Sequence, residues 1–266
     1  MQQQNGYALI TGATGGVGSA FARLLAGRNL PLLLFGRNEE KLHKLQAELQ
    51  AEYPQLPIRC ITANLENEGD RYAAFEKITQ ENIPIAMLVN IAGVDVQKPF
   101  EKYTQEKLTM QCRVNFEAAV ALCRFVLERK SGHLDIINIS SVSGIYPMPY
   151  FAIYSATKGA LTSFSLALRE EMKGKNVHVT AVLPGAMPTR DDIKTQIKGQ
   201  GLWGRLAAKS PEWVAEKSLK AVAKNRGKII PGFWNKMMRI STSLLPLRVK
   251  LIFIAKRWSK IEKDAF

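Results

Sequence analysis

The chain has 266 residues, of which 46% are apolar and 23% charged, which suits one large α/β domain and argues against disorder. The polar segment 1–5 lacks the basic and apolar parts of a cleavable signal, and no apolar run reaches the roughly 18 residues of a membrane-spanning helix. The formal net charge of +14 fits nucleic acid, an anionic membrane or an anionic ligand such as a phosphorylated cofactor.

Apolar, strand-like runs alternate with segments of helical period along the chain. The pattern predicts strands at 7–13, 30–35, 58–65, 86–92, 134–140, 177–183 and 228–231. It predicts helices after the first strand, from Asn38, at 68–81, at 104–129, at 154–173 and from Ser210, with a loose stretch at 186–209. Apolar strands that alternate with helices predict a doubly wound, Rossmann-type α/β fold, a parallel sheet of about seven strands with helices on both faces. We expect one domain over 1–232, because no linker or repeat divides it.

A glycine-rich turn joins the first predicted strand to the first predicted helix. Its sequence, Thr11-Gly12-Ala13-Thr14-Gly15-Gly16-Val17-Gly18, has the spacing Gly-x-x-x-Gly-x-Gly. Glycines let the backbone approach a ligand closely, and a helix N-terminus offers unpaired N–H groups to a pyrophosphate. We therefore expect the turn to bind a dinucleotide through Gly12, Thr14, Gly15, Gly16, Val17 and Gly18. The alternative is an ordinary tight turn.

The second predicted strand ends in Phe35-Gly36-Arg37. An acidic residue there would bind the ribose hydroxyls of NAD, and none is present. The guanidinium of Arg37 instead offers a fork of donors suited to a 2′-phosphate. NADP(H) is therefore the expected cofactor, unless Arg37 is simply a solvated surface residue.

Tyr154 and Lys158, in Tyr-Ser-Ala-Thr-Lys, lie one turn apart on one helix face. A neighbouring cation lowers the pKa of a phenol from its ordinary value of about 10, as acid–base catalysis near neutral pH requires. The pair is common, so by itself it favours no function. Ser140 and Ser141 add weight, because they follow a predicted strand at the edge where open α/β sheets bind ligands.

Together these motifs resemble the compact branch of the short-chain dehydrogenase/reductase family. The resemblance covers about residues 6–232 and extends to Asn90-Ile91-Ala92-Gly93, to Asn115 and to the segment Pro184-Gly185-Ala186-Met187-Pro188-Thr189. The chain departs from the family pattern at Ile91, where the family has a second Asn. It departs again at Asn64-Leu65, where the family usually has Asp before an apolar residue.

The resemblance implies hydride transfer between a nicotinamide and a carbonyl carbon. Tyr154 would be the general acid in reduction, and Ser141, thirteen residues before it, would bind the substrate oxygen. Asn115 and Lys158 would form a proton relay, and Lys158 would also lower the pKa of Tyr154 and hold the nicotinamide ribose. Cofactor contacts are further implied for Tyr154, Lys158, Asn64, Leu65, Asn90, Ala92, Gly93, Pro184, Gly185, Met187 and Thr189.

The stretch between Ser141 and Tyr154 is rich in apolar and aromatic residues. With Met148 inside it and Trp203 further along, it predicts a hydrophobic ketone or secondary alcohol as substrate, steroid-like or fatty-acyl-like. The same residues could instead be core and subunit packing. Two other functions remain open: a catalytically silent NADP-binding scaffold or regulator, and an epimerase or dehydratase, which chain length and glycine spacing disfavour.

Residues 233–266 form a basic extension in which Pro246 is expected to separate two helices. Leu247, Leu251, Ile254, Trp258 and Ile261 recur at three- and four-residue steps and predict an apolar stripe. Such an amphipathic tail suits the surface of an anionic membrane, and it equally suits packing on its own domain or on a partner subunit.

The remaining expectations concern partners and location. Nucleic-acid binding is not expected, because the basic residues of the tail alternate with aliphatic ones. Cys60, Cys112 and Cys123 show no paired spacing and no cluster with histidine, so we expect a reducing, cytoplasmic location and no metal. The tail adds the option of a peripheral position on a membrane. The family resemblance implies a homodimer or homotetramer.

Overall fold

The computed structural model describes residues 6–199, 205–259 and Asp264. In that part of the chain a seven-stranded parallel sheet has the order β3-β2-β1-β4-β5-β6-β7. Its strands are β1 Tyr7–Thr11, β2 Leu32–Gly36, β3 Ile58–Thr62, β4 Ile85–Asn90, β5 Lys130–Ile139, β6 Val177–Val182 and β7 Lys228–Ile229. The predicted Rossmann-type fold is confirmed.

The main helices cover both faces of the sheet. They are α1 Gly16–Ala26, α2 Glu39–Glu52, α3 Glu68–Gln80, α4 Gln105–Cys112, α5 Ala118–Glu128, α6 Ala152–Glu171, α7 Asp191–Gly199, α8 Pro211–Ala223, α9 Phe233–Ser243 and α10 Leu247–Trp258. Successive side chains of a strand point to opposite faces, so Ala8 and Ile10 join one buried cluster while Leu9 joins the other. The sheet therefore has one hydrophobic layer on each face, and these two layers fix the position at which each strand ends.

Two predicted segments differ from the structure. The stretch 186–209, expected to be loose, contains the helix α7. The helix predicted over 104–129 is interrupted by a π-helical turn at Arg113–Glu117 between α4 and α5. The predicted caps hold: the Asn38 side chain accepts from the N–H of Lys41 at 2.8 Å, and the Ser210 side chain accepts from that of Trp213 at 3.2 Å.

The tail forms two helices on either side of Pro246, as predicted, and packs on the domain. Asn235 of α9 is 1% exposed and donates to the carbonyls of Ala207 and Pro231. The hydroxyl of Tyr146 donates to the carbonyl of Arg239 at 3.2 Å. The division into a domain over 1–232 and an extension over 233–266 stays a prediction. Of the helices in the described ranges, none combines the length and apolar character needed to cross a bilayer.

Candidate active site

The loops that follow β1 and β4 are held against each other at the carboxyl edge of the sheet. The Thr11 hydroxyl accepts from the N–H groups of Ile91 and Ala92, at 2.9 and 3.1 Å. Gly12, with φ of +62°, lies directly against the Ala92 backbone, where a Cβ atom would come within 3.2 Å of it. These contacts bring three predicted cofactor residues together at the carboxyl edge of the sheet: Gly12, Ala92 and Gly93.

Helix α1 begins in contact with the glycine-rich turn. A Cβ atom on Gly18 would lie 2.1 Å from the carbonyl oxygen of Gly12, so only glycine lets the helix sit so close. Gly15 precedes the helix and provides no side-chain cap, which leaves the first N–H groups of α1 for another acceptor. Thr189 lies across from this point, since a Cβ on Gly16 would be 2.9 Å from its Cγ2 atom.

The residues predicted to bind the adenosine half of NADP(H), and to select it through its 2′-phosphate, follow β2 and β3. Arg37 is exposed immediately after β2, and Leu65 is buried beyond β3. The side-chain oxygen of Asn64 already accepts from the N–H of Glu66 at 3.2 Å, although an amide oxygen has a second lone pair. The Asn90 side chain donates to Asn138 of the neighbouring strand at 2.8 Å, while its buried Oδ1 atom has no hydrogen-bond partner among the described residues.

Tyr154 lies in the first turn of α6 and meets Ser141, which follows β5. The Ser141 side chain is close enough to the Tyr154 hydroxyl to lower its pKa through hydrogen bonding. The hydroxyl of Ser140 turns the other way and donates to the carbonyl of Lys158 at 2.7 Å. A Cβ atom on Gly144 would lie 2.6 Å from the backbone N of Gly159, so glycine at 144 lets the turn after Ser141 press against α6.

Lys158 and Asn115 complete the cluster behind Tyr154. The Lys158 ammonium is buried and donates to the carbonyl of Ile139 at 2.9 Å. The Asn115 side chain accepts from the N–H of Val94 at 2.7 Å and donates to its carbonyl at 2.9 Å. Both side chains border Gly93, where a Cβ would lie 3.2 Å from each. The π-helical turn carries Asn115, which agrees with the frequent occurrence of such turns at functional sites.

Burial dominates the electrostatics of the catalytic pair. It raises the pKa of Tyr154 well above its ordinary value, and the Asp95 carboxylate raises it further, while Ser141 and Arg190 lower it. Burial lowers the pKa of Lys158 to about 8, against an opposing effect of Asp95. The Lys158 ammonium lies 5.8 Å from the ring centroid of Tyr154, and its expected effect on the pKa of Tyr154 stays a prediction.

The sequence analysis missed an ion pair beside this cluster. Asp95 follows β4, Arg190 follows β6, and their side chains pair at 2.9 Å. The pair joins two loops that are distant in sequence, so no local spacing could reveal it.

It also missed an aromatic stack that joins the tail to the catalytic helix. The ring of Phe151 stacks on that of Tyr154 with centroids 4.3 Å apart, and Trp258 of α10 lies parallel to Phe151 at 6.1 Å. Asp264 forms salt bridges with Lys98, at 2.6 Å, and with Lys107. Through the contact of Trp258 with Phe151, the tail therefore lies beside the start of α6, which carries Tyr154.

The remaining predicted residues are placed as follows. Pro184 accepts through its carbonyl from the N–H of Val142, which holds the segment after β6 against the turn after Ser141. Gly185 lies against the Asn235 side chain of the tail, and Met187 packs on the core beside α1. Met148, in the segment that connects Ser141 to Tyr154 along the chain, is half-buried. Trp203 lies outside the described residues. Thr14 and Val17 lie in the glycine-rich turn and the start of α1.

The model of the family described as "short chain dehydrogenase" matches residues 6–198, so the chain belongs to that family and the predicted resemblance is confirmed. A very-long-chain 3-oxoacyl-CoA reductase of Anas platyrhynchos is 32% identical over 195 residues, covering 69% of this chain and 60% of that protein. An inactive hydroxysteroid dehydrogenase-like protein of Homo sapiens is 33% identical over 190 residues, with coverages of 69% and 56%. The chain thus spans about 60% of the length of the first of these relatives.

Two solved structures are similar over nearly the whole chain. A 7β-hydroxysteroid dehydrogenase, 22% identical, superposes with a TM-score of 0.85 over 96% of this chain and 98% of that one, which shows the fold. A short-chain dehydrogenase from Sphingobium yanoikuyae, determined in complex with NADPH, is 26% identical, with a TM-score of 0.73 over 90% of this chain and 94% of that one.

Proposed function

We propose that the chain is an NADP(H)-dependent oxidoreductase that interconverts a ketone and a secondary alcohol on a hydrophobic substrate. The observation that carries the proposal is the convergence of Ser141, Tyr154, Lys158 and Asn115 at the sheet edge where α1 presents its N-terminus. Family membership and the NADPH complex of a similar structure support it.

The residues present fit NADP(H). The uncapped start of α1 suits the pyrophosphate, and exposed Arg37, with no acidic residue at the end of β2, suits the 2′-phosphate. Lys158, which the family resemblance assigns to the nicotinamide ribose, borders Gly93 together with Asn115. When bound, the cofactor supplies the hydride, and the protein supplies orientation and the proton.

The protein's part in reduction is proton donation at the substrate oxygen. The hydroxyls of Ser141 and Tyr154 lie together, so one carbonyl oxygen could accept hydrogen bonds from both. Because burial raises the pKa of Tyr154, the phenol keeps its proton at neutral pH and can act as the acid. Lys158, buried behind it, holds the cofactor and supports return of the proton to Tyr154.

The substrate side is aromatic and apolar. Phe151 and Trp258 stack next to Tyr154, and Tyr146 connects the same loop to the tail. Such a wall favours a bulky apolar ketone, steroid-like or fatty-acyl-like, over a small polar one. The similar proteins named above, a very-long-chain 3-oxoacyl-CoA reductase and a 7β-hydroxysteroid dehydrogenase, agree with this class.

The direct test is Tyr154→Phe. We expect turnover of NADPH with a bulky ketone to fall by roughly 10²- to 10⁴-fold, with NADPH affinity nearly unchanged, because only the proton donor is lost. Exposed Tyr72→Phe is the matched control and should be fully active. Retention of most turnover by Tyr154→Phe would reject Tyr154 as the acid. Binding of NADPH without consumption by the unaltered protein would favour the silent scaffold, an outcome that the inactive human relative makes worth testing.

We further propose that the outer face of the tail contacts an anionic membrane surface. Of the predicted stripe residues, Leu251, Ile254 and Trp258 are half-buried, Leu247 is 52% exposed, and Ile261 lies outside the described residues. The opposite face exposes a second apolar set, with Leu244 84%, Ile252 62% and Phe253 67% exposed. These lie among the exposed basic residues Lys236, Arg239, Arg248, Lys256 and Arg257. Exposed apolar area beside cations favours an interface with anionic lipid.

Sedimentation with phosphatidylserine-containing vesicles tests the membrane contact. The double variant Ile252→Glu/Phe253→Glu should lose most vesicle binding, whereas Tyr72→Glu, an equally exposed aromatic position elsewhere, should keep it. Absence of binding by the unaltered protein would reject the membrane. If the double variant instead converts a dimer or tetramer to monomers, the face is a subunit interface and the membrane proposal is wrong.

A further inference from the structure

A cluster of two histidines and one carboxylate lies on the sheet away from the active site. His133 and Asp135 belong to β5, two residues apart and hence on the same face of the strand. Asp135 is paired in register with His178 of β6. The site therefore stands on two adjacent strands of the central sheet. Sequence spacing did not suggest it, because the histidines belong to different strands.

The ligand-type atoms of these side chains converge. The Nε2 atom of His133 is 2.8 Å from Oδ1 of Asp135, and the Nδ1 atom of His178 is 3.3 Å from the same oxygen. The three atoms all lie within 4.8 Å of one another. The Asp135 side chain is 7% exposed, and the histidines are 21% and 26% exposed, so the cluster is shielded and still reachable from solvent.

The second nitrogen of each ring shows which way its lone pair points. Nδ1 of His133 is 3.0 Å from the side-chain oxygen of Asn176, which can only accept, so Nδ1 carries the hydrogen. His178 is hydrogen-bonded to the Val222 carbonyl, and its buried Nδ1 has no hydrogen-bond partner among the described residues, so the bond uses Nε2. In the neutral rings, the remaining nitrogens therefore both present lone pairs to the Asp135 carboxylate.

Three acceptors that face one another need either protons or a cation between them. Metal-binding histidines usually donate their other N–H to a carbonyl or carboxylate, as both rings do here. Zn²⁺ bonds of about 2.0–2.2 Å place tetrahedral ligand atoms roughly 3.4 Å apart. Compared with the observed 2.8 and 3.3 Å, His133 would have to move away from Asp135 by about 0.6 Å and His178 by about 0.1 Å.

We propose that His133, Asp135 and His178 bind a divalent transition-metal ion, with Zn²⁺ as the best match to two imidazoles and one carboxylate. A solvent molecule would complete four-coordination, since the histidines are partly exposed. The ion would join β5 to β6 and stabilise the sheet below the active site. The nearby Arg169 guanidinium is held by Asn225 and opposes the ion electrostatically, so we expect moderate affinity.

The test is calorimetric titration of tag-free full-length protein with ZnCl₂, checked by thermal unfolding. We expect one zinc ion per chain and, with zinc at about a hundred times Kd, a roughly hundredfold shift of the unfolding equilibrium towards the native state. His178→Gln and Asp135→Asn should each weaken binding at least tenfold. His43→Gln is the matched control, because His43 is the chain's third histidine and is exposed on α2. It should bind zinc like the unaltered protein.

Co²⁺ distinguishes this site from the cysteines. Bound Co²⁺ should give visible absorption bands without the near-ultraviolet thiolate band that a cysteine ligand produces. A thiolate band, no stoichiometric zinc uptake, or equal uptake by a folded His133→Gln/His178→Gln variant would overturn the proposal. The cluster would then be a protonated histidine–aspartate network. None of these readouts depends on turnover, so the metal site and the proposed oxidoreductase function are tested separately.

Discussion

The carboxyl edge of the sheet and the C-terminal tail both border Tyr154, but they are built differently. At the edge, polar groups are fixed by backbone partners: Lys158 by the Ile139 carbonyl and Asn115 by both backbone groups of Val94. The tail reaches the site through side chains, such as Trp258 on Phe151 and Asp264 on Lys98. The first arrangement follows from the fold, whereas the second can change by single substitutions. The chemistry should therefore depend on the edge, and substrate choice on the tail.

The sharpest test of the edge is Gly18→Ala, for which we expect the largest effect. The new methyl group would lie 2.1 Å from the Gly12 oxygen and 2.7 Å from Cα of Ala13, both backbone atoms that cannot move without deforming the turn. We expect a loss of roughly 3 kcal/mol or more in the free energy of unfolding, together with loss of NADPH binding. Chemical denaturation and NADPH fluorescence measure the two effects.

Gly15→Ala separates packing from binding in the same turn. Its methyl group would lie 3.4 Å from the Gly12 oxygen, an ordinary contact, so stability should change by less than about 1 kcal/mol. Weaker NADPH binding with unchanged stability would show that a ligand approaches this backbone. Equal stability of Gly18→Ala and the unaltered protein would contradict the idea that backbone contacts fix the edge.

The edge was largely predictable from sequence because each of its groups belongs to a local pattern. Strand-turn-helix order located Gly12–Gly18, and the positions of Ser141 and Tyr154 relative to the predicted strand and helix indicated their meeting. The choice of Ser141 over Ser140 came from the family resemblance, and the structure shows Ser140 bonded to α6 instead. The pKa of Tyr154 was not predictable, since burial by surrounding elements dominates it.

The tail was only partly predictable, because periodicity shows that a helix is amphipathic but not what covers it. Within the predicted stripe, Trp258 packs on Phe151 and Leu251 and Ile254 are half-buried, whereas Leu247 is exposed like the unpredicted face with Ile252 and Phe253. The period of apolar residues along a helix does not show which of two apolar faces is buried against the domain. The partners Phe151 and Trp258 are far apart in sequence, so their contact needs the complete fold.

Trp258→Ala tests whether the tail determines substrate choice. Removing the indole that stacks on Phe151 takes apolar surface from the substrate side without touching the proton donor. We expect KM for a bulky steroid ketone to rise roughly tenfold, which corresponds to about 1.4 kcal/mol, and KM for a small ketone to change less than about twofold. Steady-state kinetics with both ketones measure the difference.

Phe253→Ala is the control on the same helix, because Phe253 points outward and is 67% exposed. It should leave both KM values unchanged. A fall in kcat for both ketones in Trp258→Ala would show that Trp258 positions Tyr154 through Phe151. The division of labour between edge and tail would then be wrong.

The smallest expected effect concerns the Asp95–Arg190 pair, which joins the loops that follow β4 and β6 at the edge. Asp95 raises the pKa of Lys158, which burial lowers to about 8. If charged Lys158 holds the cofactor, kcat/KM for NADPH should fall above about pH 8. Asp95→Asn removes the carboxylate that raises the pKa of Lys158. The falling limb of the pH profile of kcat/KM should therefore move to lower pH by roughly half to one unit. Asp191→Asn, at an exposed carboxylate on α7, should not move it.

Arg190→Gln then distinguishes charge from geometry. It breaks the same ion pair but keeps the Asp95 carboxylate, now less neutralised, beside Lys158 and Tyr154. Because the Asp95 carboxylate raises the pKa of Lys158, leaving that carboxylate less neutralised should move the falling limb to higher pH, opposite to Asp95→Asn. Shifts in the same direction in both variants would mean that the pair acts by holding its two loops together. In that case Asp95 would contribute to the site through position, as the tail residues do, and not through its charge.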